Sequence, residues 1–241
     1  MAGRLYITAT PIGNLGDLSG RVRETLEQAD LVACEDTRHT GLLLSRIEIK
    51  RPLISLHEHN EASRIPEILR RLREGEQIAL VSDAGYPTVS DPGQRLVRAV
   101  VREKLELTVI PGPSAVLTAL AGSGLPTDRF YYGGFLPNKR GKRERELARA
   151  LEADFTSIYF ESTHRIEATL EMLAGLDPER PICVGRELTK KFEQFVHGTT
   201  SEVIETLSKG STKGEFTLLI AGSKLPKWFS PKDATLHDES A

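Results

Sequence analysis

Three turns rich in glycine and proline could carry ligand chemistry, because each directly follows a short apolar segment. Their sequences are TPIGNLGD from Thr10, SDAGYPTVSDPG from Ser82 and IPGPSA from Ile110. Glycine allows the backbone to approach a ligand closely, and a helix that starts after such a turn offers free N–H groups. In the second turn, Asp83 could accept hydrogen bonds from ribose hydroxyls or from a ligand amine. Together the three turns predict a site for a nucleotide-like ligand.

Other chemistries have weaker support. The chain contains neither GxGxxG nor GxxxxGK[ST], so nicotinamide-dependent dehydrogenases and P-loop NTPases lose their main signal. No GxSxG elbow indicates a hydrolase. His57 and His59 have no third His or Cys nearby, so we expect a solvated loop and no metal site. Asp91 is favoured as the N-cap of the next helix, whereas Ser114 fits a cap and a ligand contact equally well.

A basic segment in the second half of the chain could bind phosphate groups. The stretch from 139 to 149 contains six basic and two acidic residues. A solvated helix face and a phosphate-binding surface explain this segment equally well. The whole chain has a formal net charge of −2, which excludes a wholly basic coat protein but not a local basic patch.

The pattern of apolar residues predicts the elements that position these turns. In the first half, short β-branched segments alternate with amphipathic helices, which indicates βαβ units and a mostly parallel sheet. The predicted strands are Leu5–Thr8, Leu31–Cys34, Leu53–Leu56, Ile78–Val81 and Leu107–Ile110. The predicted helices are Leu18–Ala29, Glu61–Glu74 and Gln94–Glu103, with an apolar helix after Ser114.

In the second half, the predicted strands follow one another more closely, which is typical of a mixed sheet with hairpins. We therefore expect an α/β protein with two α/β domains, residues 1–122 with a mostly parallel sheet and 123–224 with a mixed sheet. A flexible tail, 225–241, is expected to follow.

Composition is typical of a globular protein, because 39% of the 241 residues are hydrophobic. Cys34 and Cys183 lie far apart in apolar runs, as expected for buried thiols in a reducing cytosol. No run approaches the roughly 18 apolar residues that span a bilayer, and the N-terminus lacks the apolar run of a signal peptide. We expect a cytoplasmic protein that does not contact membranes.

Eight segments resemble one family, in order along the chain. They are TATPIGNLGD, EDTRHT, SLHEHNE, SDAGYPTVSDPG, VIPGPSA, GFLPNK, ESTHRI and RELTKKF. Each segment alone is modestly specific, but eight in register are highly specific. The chain is similar to the tetrapyrrole methylase superfamily, and within it to bacterial enzymes that methylate the ribose 2′-oxygen of a cytidine in the decoding region of small-subunit ribosomal RNA. Thr163 stands where that family pattern has proline, which indicates a loop change.

The resemblance implies that S-adenosylmethionine binds in the cleft between two α/β domains of a homodimer that acts on small-subunit ribosomal RNA. It also implies cofactor contacts at matching positions, namely Pro11, Asp83, Ala84, Gly85, Val89, Ser114 and Ala115. Phe160, Leu188 and Thr217 match positions near the adenine, although relatives often have glycine in place of Leu188. The basic segment would then bind RNA phosphates through Lys139, Arg140, Lys142 and Arg143.

The implied reaction is an in-line methyl transfer, which mainly requires alignment of the reacting atoms. A base would assist, because a ribose hydroxyl is a poor nucleophile at neutral pH. The candidates for this base are Asp36, His57, Asp83, Glu161 and Glu187. Asp83 could instead bind the cofactor, and Glu161 could pair with Arg165. Two other functions stay open, a methyltransferase for a tetrapyrrole and a ribosome-binding module without catalysis.

Overall fold

The computed structural model describes residues 3–211 and 213–225, and the chain forms two compact units. The units divide between Ser114 and Ala115, whereas the sequence placed the boundary after residue 122. The helix Ala115–Gly122 packs against strands of the second unit and is grouped with it for that reason. The predicted tail, apart from residue 225, lies outside the described residues. Within them, no helix combines the length and the apolar character needed to cross a membrane.

The first unit contains a five-stranded sheet in which every strand is parallel to its neighbours. Numbered in chain order, the strands are β1 (Arg4–Thr8), β2 (Leu31–Cys34), β3 (Leu53–Ser55), β4 (Gln77–Leu80) and β5 (Glu106–Ile110). The helices are α1 (Gly20–Gln28), α2 (Thr37–Arg46), α3 (Glu61–Arg73) and α4 (Gln94–Arg102). The order in the sheet is β3-β2-β4-β1-β5, which confirms the predicted parallel sheet.

Burial explains why the short apolar segments form these strands. Every residue of β2 is buried, and Leu5 and Ile78 pack into one core with the apolar face of α3. Helix α2 was not predicted because it buries only Thr40 and Leu44, so its apolar period is weak. Since the strands are parallel, their carboxyl ends meet at one edge, where open α/β sheets bind ligands.

A side chain from another helix caps the N-terminus of α4. Glu61, in the first turn of α3, is 5% exposed. Its Oε1 accepts hydrogen bonds from the N–H groups of Arg95 at 3.0 Å and Leu96 at 3.2 Å. The N-cap position is taken by Gly93, in the left-handed region with a φ of +114°. The prediction of Asp91 as the cap is therefore wrong, because Asp91 lies two residues before that position and Glu61 supplies the carboxylate.

The second unit contains a mixed five-stranded sheet, which confirms the predicted fold class. Its strands are β6 (Phe130–Phe135), β7 (Thr156–Ser162), β8 (Pro181–Arg186), β9 (Gln194–Thr199) and β10 (Glu215–Ile220). Its helices are α5 (Ala115–Gly122), α6 (Arg140–Glu152), α7 (Ile166–Leu176) and α8 (Thr200–Ser208). The order in the sheet is β6-β7-β10-β8-β9. Only β6 and β7 pair in parallel, and the other three pairs are antiparallel.

Several loops of the second unit leave its sheet at one edge. Strand β7 ends at Ser162, opposite Glu215 at the start of β10. Strand β8 runs antiparallel to β10 and ends at Arg186, opposite Gln194 at the start of β9. Since β6 is parallel to β7, its last residue, Phe135, reaches the same edge. The β6–α6, β7–α7 and β8–β9 loops therefore lie together with the start of β10, and we call this the loop edge of the second sheet.

We expect Glu61→Ala to destabilise the first unit by about 1–2 kcal/mol, because two N–H groups of α4 lose their acceptor. Glu61→Gln keeps an acceptor oxygen and is expected to cost less. Urea unfolding measures the loss, and hydrogen exchange at the amide of Leu96 reports locally on α4. Unchanged exchange at Leu96 in the alanine variant would contradict the capping role.

Candidate functional site

The three glycine- and proline-rich turns contact one another in the first unit. Thr10 and Gly85 exchange two backbone hydrogen bonds of 2.9 and 3.0 Å. The Thr10 hydroxyl also donates to the carbonyl of Ser82 at 3.0 Å. After β5, the N–H of Gly112 donates to the Tyr86 hydroxyl at 3.1 Å. The loops that follow β1, β4 and β5 thus form one cradle at the carboxyl edge of the first sheet.

Gly85 and Gly112 are two positions in this cradle that favour glycine. Gly85 has a φ of +75°, which side chains disfavour. At Gly112, a Cβ atom would lie only 3.0 Å from the Cβ and 3.3 Å from the carbonyl oxygen of Ala9. A larger residue at either position would disturb the close approach of the loops.

The other residues predicted to bind a cofactor in these loops differ in exposure. Ala84 and Val89 are exposed. The half-buried residues are Pro11, Asp83, Ser114 and Ala115. Ser114 directly precedes α5, and both of its predicted roles, helix cap and ligand contact, stay predictions.

Four carboxylates follow β2 and β4 at this edge, namely Glu35, Asp36, Asp83 and Asp91. Burial raises the pKa of Asp91 to about 6, and the negative charges of Glu35 and Asp83 add to this shift. Burial and the charge of Asp83 also raise the pKa of Glu35. The carboxylates therefore repel one another, and a cationic ligand would relieve that repulsion. Sequence reasoning missed Glu35, although its position directly after β2 was a usable signal.

Asp36, a candidate base, is held by its own helix. It is the N-cap of α2 and accepts a hydrogen bond from the N–H of Arg38 at 2.8 Å. The Arg38 guanidinium donates to both of its carboxylate oxygens, at 3.1 and 2.7 Å. The hydrogen bonds from the Arg38 side chain and backbone hold the pKa of Asp36 well below its usual range. Asp36 is therefore a weak proton acceptor, and its geometry favours a capping role.

His57 has a ring nitrogen without a partner. Its Nδ1 is buried and has no hydrogen bond to any other described residue. Its backbone N–H donates to Asn60 Oδ1 at 2.8 Å, and its ring centroid lies 6.1 Å from that of His59. A buried polar atom without a partner is costly, so a hydrogen bond from a ligand to Nδ1 would be favourable. Across 3–211 and 213–225, no three His, Cys, Asp or Glu side chains are placed to hold a metal ion.

The residues predicted near the adenine lie side by side in the second unit. Thr217 of β10 pairs with Phe160 of β7 on one side and with Gly185 of β8 on the other. A Cβ atom at Gly185 would lie 3.0 Å from a Leu188 methyl group, so Leu188 folds back over this glycine. Register thus places Phe160 and Thr217 side by side on adjacent strands, although they lie 57 positions apart in the sequence. Leu188 follows β8 in the chain and reaches this region by folding back over Gly185.

Glu161 is the centre of a buried ion network. Its side chain has no exposed surface, and the Arg165 guanidinium donates to both of its oxygens, at 2.7 and 2.9 Å. The Thr169 hydroxyl donates at 2.9 Å, and Arg143 lies 3.9 Å away. Arg165 also donates to the carbonyl of Leu136 at 2.7 Å. The structure shows the predicted Glu161–Arg165 pair, which anchors the β6–α6 loop and engages both carboxylate oxygens of Glu161.

Glu187, the last candidate base, is also engaged. Its Oε1 accepts hydrogen bonds from Lys190 Nζ at 2.9 Å and from the N–H of Glu215 at 3.0 Å. Burial alone would raise the pKa of Glu187, but these hydrogen bonds outweigh burial and lower it. Its backbone is in the left-handed region, with a φ of +49°. These contacts shape the β8–β9 loop and favour a structural role.

The basic segment divides into outward and inward residues. Lys139, Arg140 and Lys142 are exposed and form no ion pair with another described residue. Arg143 is only 9% exposed and donates to the Thr169 hydroxyl at 3.2 Å. The prediction that Arg143 binds RNA is corrected here, because it lies on the face of α6 that also buries Leu147.

A second arginine cluster, on α3, provides a comparison. Each of its arginines has a carboxylate partner, in the pairs Arg70–Glu74, Arg71–Glu76 and Arg73–Glu103. Its charge is therefore neutralised within the first unit, in contrast to that at the start of α6.

A family model described as Tetrapyrrole (Corrin/Porphyrin) Methylases matches residues 4–204. Solved structures show the same fold. A cobalt precorrin-4 methyltransferase of cobalamin biosynthesis has a TM-score of 0.63 and 19% identity, covering 90% of this chain and 94% of its own. A uroporphyrin-III C-methyltransferase from Thermus thermophilus, complexed with S-adenosylhomocysteine, has a TM-score of 0.61 and 20% identity, covering 91% and 97%. The fold and the matched model define a protein of the tetrapyrrole methylase class.

Relatives with higher sequence identity identify the family within this class to which the chain belongs. A protein of Synechocystis named ribosomal RNA small subunit methyltransferase I is 47% identical over 98% of this chain and 85% of its own length. Proteins of the same name from Haemophilus influenzae and Thermotoga maritima are 47% and 43% identical, each over 92% of this chain, covering 80% and 100% of their own lengths. The chain belongs to the family of ribosomal RNA small subunit methyltransferase I.

Asp91 is expected to make the stability of the protein depend on pH. In the unfolded chain its proton leaves near pH 4, whereas in the folded protein its pKa is about 6. The folded state thus holds more protons between these values, so stability falls as pH rises from about 4 to about 6. Asp91→Asn should weaken this fall and raise stability at pH 7, by less than about 3 kcal/mol because solvent screens a partly exposed group.

Urea unfolding at pH 4, 5, 6 and 7 measures this dependence. Asp128→Asn, at an exposed aspartate of the second unit, is the matched control and should leave the pH profile unchanged. A parallel profile for Asp91→Asn and the original protein would show that the carboxylate cluster does not carry the effect.

Proposed function

We propose that this chain transfers a methyl group from S-adenosylmethionine to the ribose 2′-oxygen of a cytidine in the decoding region of small-subunit ribosomal RNA. The observation that carries the RNA substrate is the 43–47% identity to proteins named for small-subunit ribosomal RNA methylation. The cytidine, its 2′-oxygen and the decoding region rest on the resemblance of the eight segments. A cytoplasmic homodimer is part of the same proposal.

The chemistry of the first unit fits this cofactor. S-adenosylmethionine supplies a methyl group activated by a sulfonium, and both its sulfonium and its ammonium are cations. The carboxylate cluster supplies the opposite charge, and burial and mutual repulsion raise the pKa of Asp91 and Glu35. Among the described residues, the hydrogen bond that Asp83 accepts is a long one of 3.4 Å, from the N–H of Asp36, so its carboxylate keeps acceptor capacity. In the proposal Asp83 binds the cationic end, and the backbone around Gly85 adds polar contacts.

The second unit supplies an apolar surface for the adenine in this proposal. Phe160 packs edge-on against Tyr132 and Phe135, with ring centroids 5.1 and 5.6 Å apart. These contacts fix the orientation of Phe160 next to Thr217. The backbone of Leu188 and Thr217 would provide polar contacts to the ring nitrogens.

The surroundings of the five candidate bases favour His57 and Asp83. Asp36 is paired with Arg38, Glu161 with Arg165, and Glu187 with Lys190. His57 keeps a buried nitrogen without a partner, and imidazole is the commonest proton acceptor in enzymes near neutral pH. We assign proton acceptance to His57 and cofactor binding to Asp83.

His57→Asn is therefore expected to lower kcat by about 10²–10⁴-fold, the usual contribution of a general base, with cofactor affinity unchanged. Asp83→Asn should instead weaken cofactor binding, which titration calorimetry measures directly. His59→Asn, at an exposed imidazole two residues away, is the control. Full turnover in His57→Asn would leave alignment alone as the source of catalysis.

The exposed start of α6 is proposed to bind RNA phosphates. Lys139→Glu combined with Lys142→Glu should reduce RNA affinity and flatten its dependence on salt, because fewer counterions are released on binding. The control pair is Arg98→Glu with Arg102→Glu, two exposed positions on α4 with the same change in net charge. Equal salt slopes for the two double variants would refute the assignment to α6.

Methyl transfer from radiolabelled S-adenosylmethionine tests the function as a whole. The acceptors are small ribosomal subunits without the modification, the free RNA and a porphyrinogen. Label mapped to a ribose 2′-oxygen of a decoding-region cytidine is the expected result. Label in the porphyrinogen alone would instead place the chain with the tetrapyrrole enzymes whose fold it shares.

A further inference from the structure

The loop edge of the second sheet carries more than the start of α6. The β8–β9 loop, 187–193, lies at this edge because β8 ends and β9 begins there. This loop contains Phe192, which is 65% exposed, the largest exposed fraction among the large apolar side chains of the described residues. A single exposed apolar side chain is normal on a protein surface. A binding role for Phe192 must therefore be argued from its surroundings.

The loop that presents Phe192 is held in a strained conformation by many contacts. Glu187 and Thr189 are both in the left-handed region, with φ of +49° and +65°, which costs free energy for residues other than glycine. The carboxylate of Glu193 accepts a hydrogen bond from the N–H of Thr189. Lys190 Nζ donates to Glu187 at 2.9 Å and to Glu215 at 2.8 Å. The outward position of Phe192 is thus built into the loop.

A cation lies over the Phe192 ring. Lys191 Nζ is 5.6 Å from the ring centroid, within the range of a cation–π contact. An aromatic ring combined with a basic side chain matches a nucleotide, in which a flat base is joined to a phosphate.

The charges around the loop edge have the sign that an RNA strand requires. The acidic side chains of the β8–β9 loop and of the start of β10 are already engaged by Lys190 or by the N–H of Thr189. Several exposed cations at this edge form no ion pair within 3–211 and 213–225, namely Lys139, Arg140, Lys142, Lys191 and Lys213. Cations from separate segments thus lie at the same sheet edge as Phe192.

We propose that the β8–β9 loop is a second RNA-binding element, in which Phe192 stacks on an unpaired nucleobase and Lys191 contacts a neighbouring phosphate. This inference rests on the proposed RNA substrate and extends it to a single-stranded segment. At its other end the same loop folds Leu188 over Gly185, beside Thr217. One short segment would therefore contact both RNA and the proposed adenine surface.

The test is binding of the full chain to small ribosomal subunits and to a short single-stranded RNA, measured over a range of salt concentrations. Phe192→Ala should lower affinity about 5- to 100-fold, as expected for the loss of one stacked base, with the salt slope unchanged because no ionic contact is lost. Phe192→Trp should retain affinity. Phe192→Leu should behave like Phe192→Ala, because it keeps apolar area but has no ring.

Phe130→Ala is the matched control. Phe130 is 44% exposed at the start of β6, at the opposite end of the same sheet, so its loss should not change RNA affinity. Cofactor affinity and the elution volume in gel filtration are measured for every variant, and both are expected to stay at the values of the original protein.

The outcomes separate this inference from the proposed function. If the original chain binds no RNA, the proposed substrate is wrong and the inference fails with it. If the original chain binds RNA and Phe192→Ala binds equally well, only the inference is overturned. Affinity restored by Phe192→Leu would refute stacking, and a changed oligomeric state in Phe192→Ala would show that this surface contacts a second copy of the chain.

Discussion

Two backbone hydrogen bonds between Thr10 and Gly85 determine the shape of the candidate site in the first unit. They join the loops after β1 and β4, two strands that lie side by side in the sheet. The contact uses peptide groups, so it depends on backbone conformation, above all on the left-handed φ of Gly85. The carboxylate cluster lies at the same edge of the sheet, because its residues follow the parallel neighbouring strands β2 and β4.

In both units, several carboxylates that hold a helix or a loop in place are paired with a nearby arginine or lysine. Glu161 is surrounded by arginines, and Asp36 is held by Arg38. Charged side chains without an ion-pair partner among the described residues include members of the carboxylate cluster of the first unit and of the loop edge of the second. The ligands proposed for these two places, a cationic methyl donor and an RNA phosphate backbone, carry the opposite sign of charge.

Elements of this fold could be predicted from sequence where the signal lies in neighbouring residues. Prediction was poorer where a contact joins residues that are far apart in the chain. Strand β2 was predicted with its observed bounds because all four of its residues are apolar and buried. Helix α8 was missed although Thr199 and Glu202 form a capping box, a local signal. The capping of α4 by Glu61 and the inward position of Arg143 could not be predicted, because each depends on a partner in another helix. The cradle was predictable from its turns, and the Glu161–Arg165 pair from its spacing of four residues. The pairs of Asp36 with Arg38 and of Glu187 with Lys190 were not predicted.

The strand order of the second sheet also constrains how the protein folds during synthesis. The central strand, β10, comes after the other four strands of this sheet in the sequence, and β7 and β8 both pair with it. The ribosome must therefore release residue 220 before the middle of this sheet can close, whereas all strands of the first unit are complete by residue 110. Until then β7 and β8 expose unpaired edges, which are prone to wrong association. The first unit can fold early, and the second can complete its sheet only after residue 220 has been released.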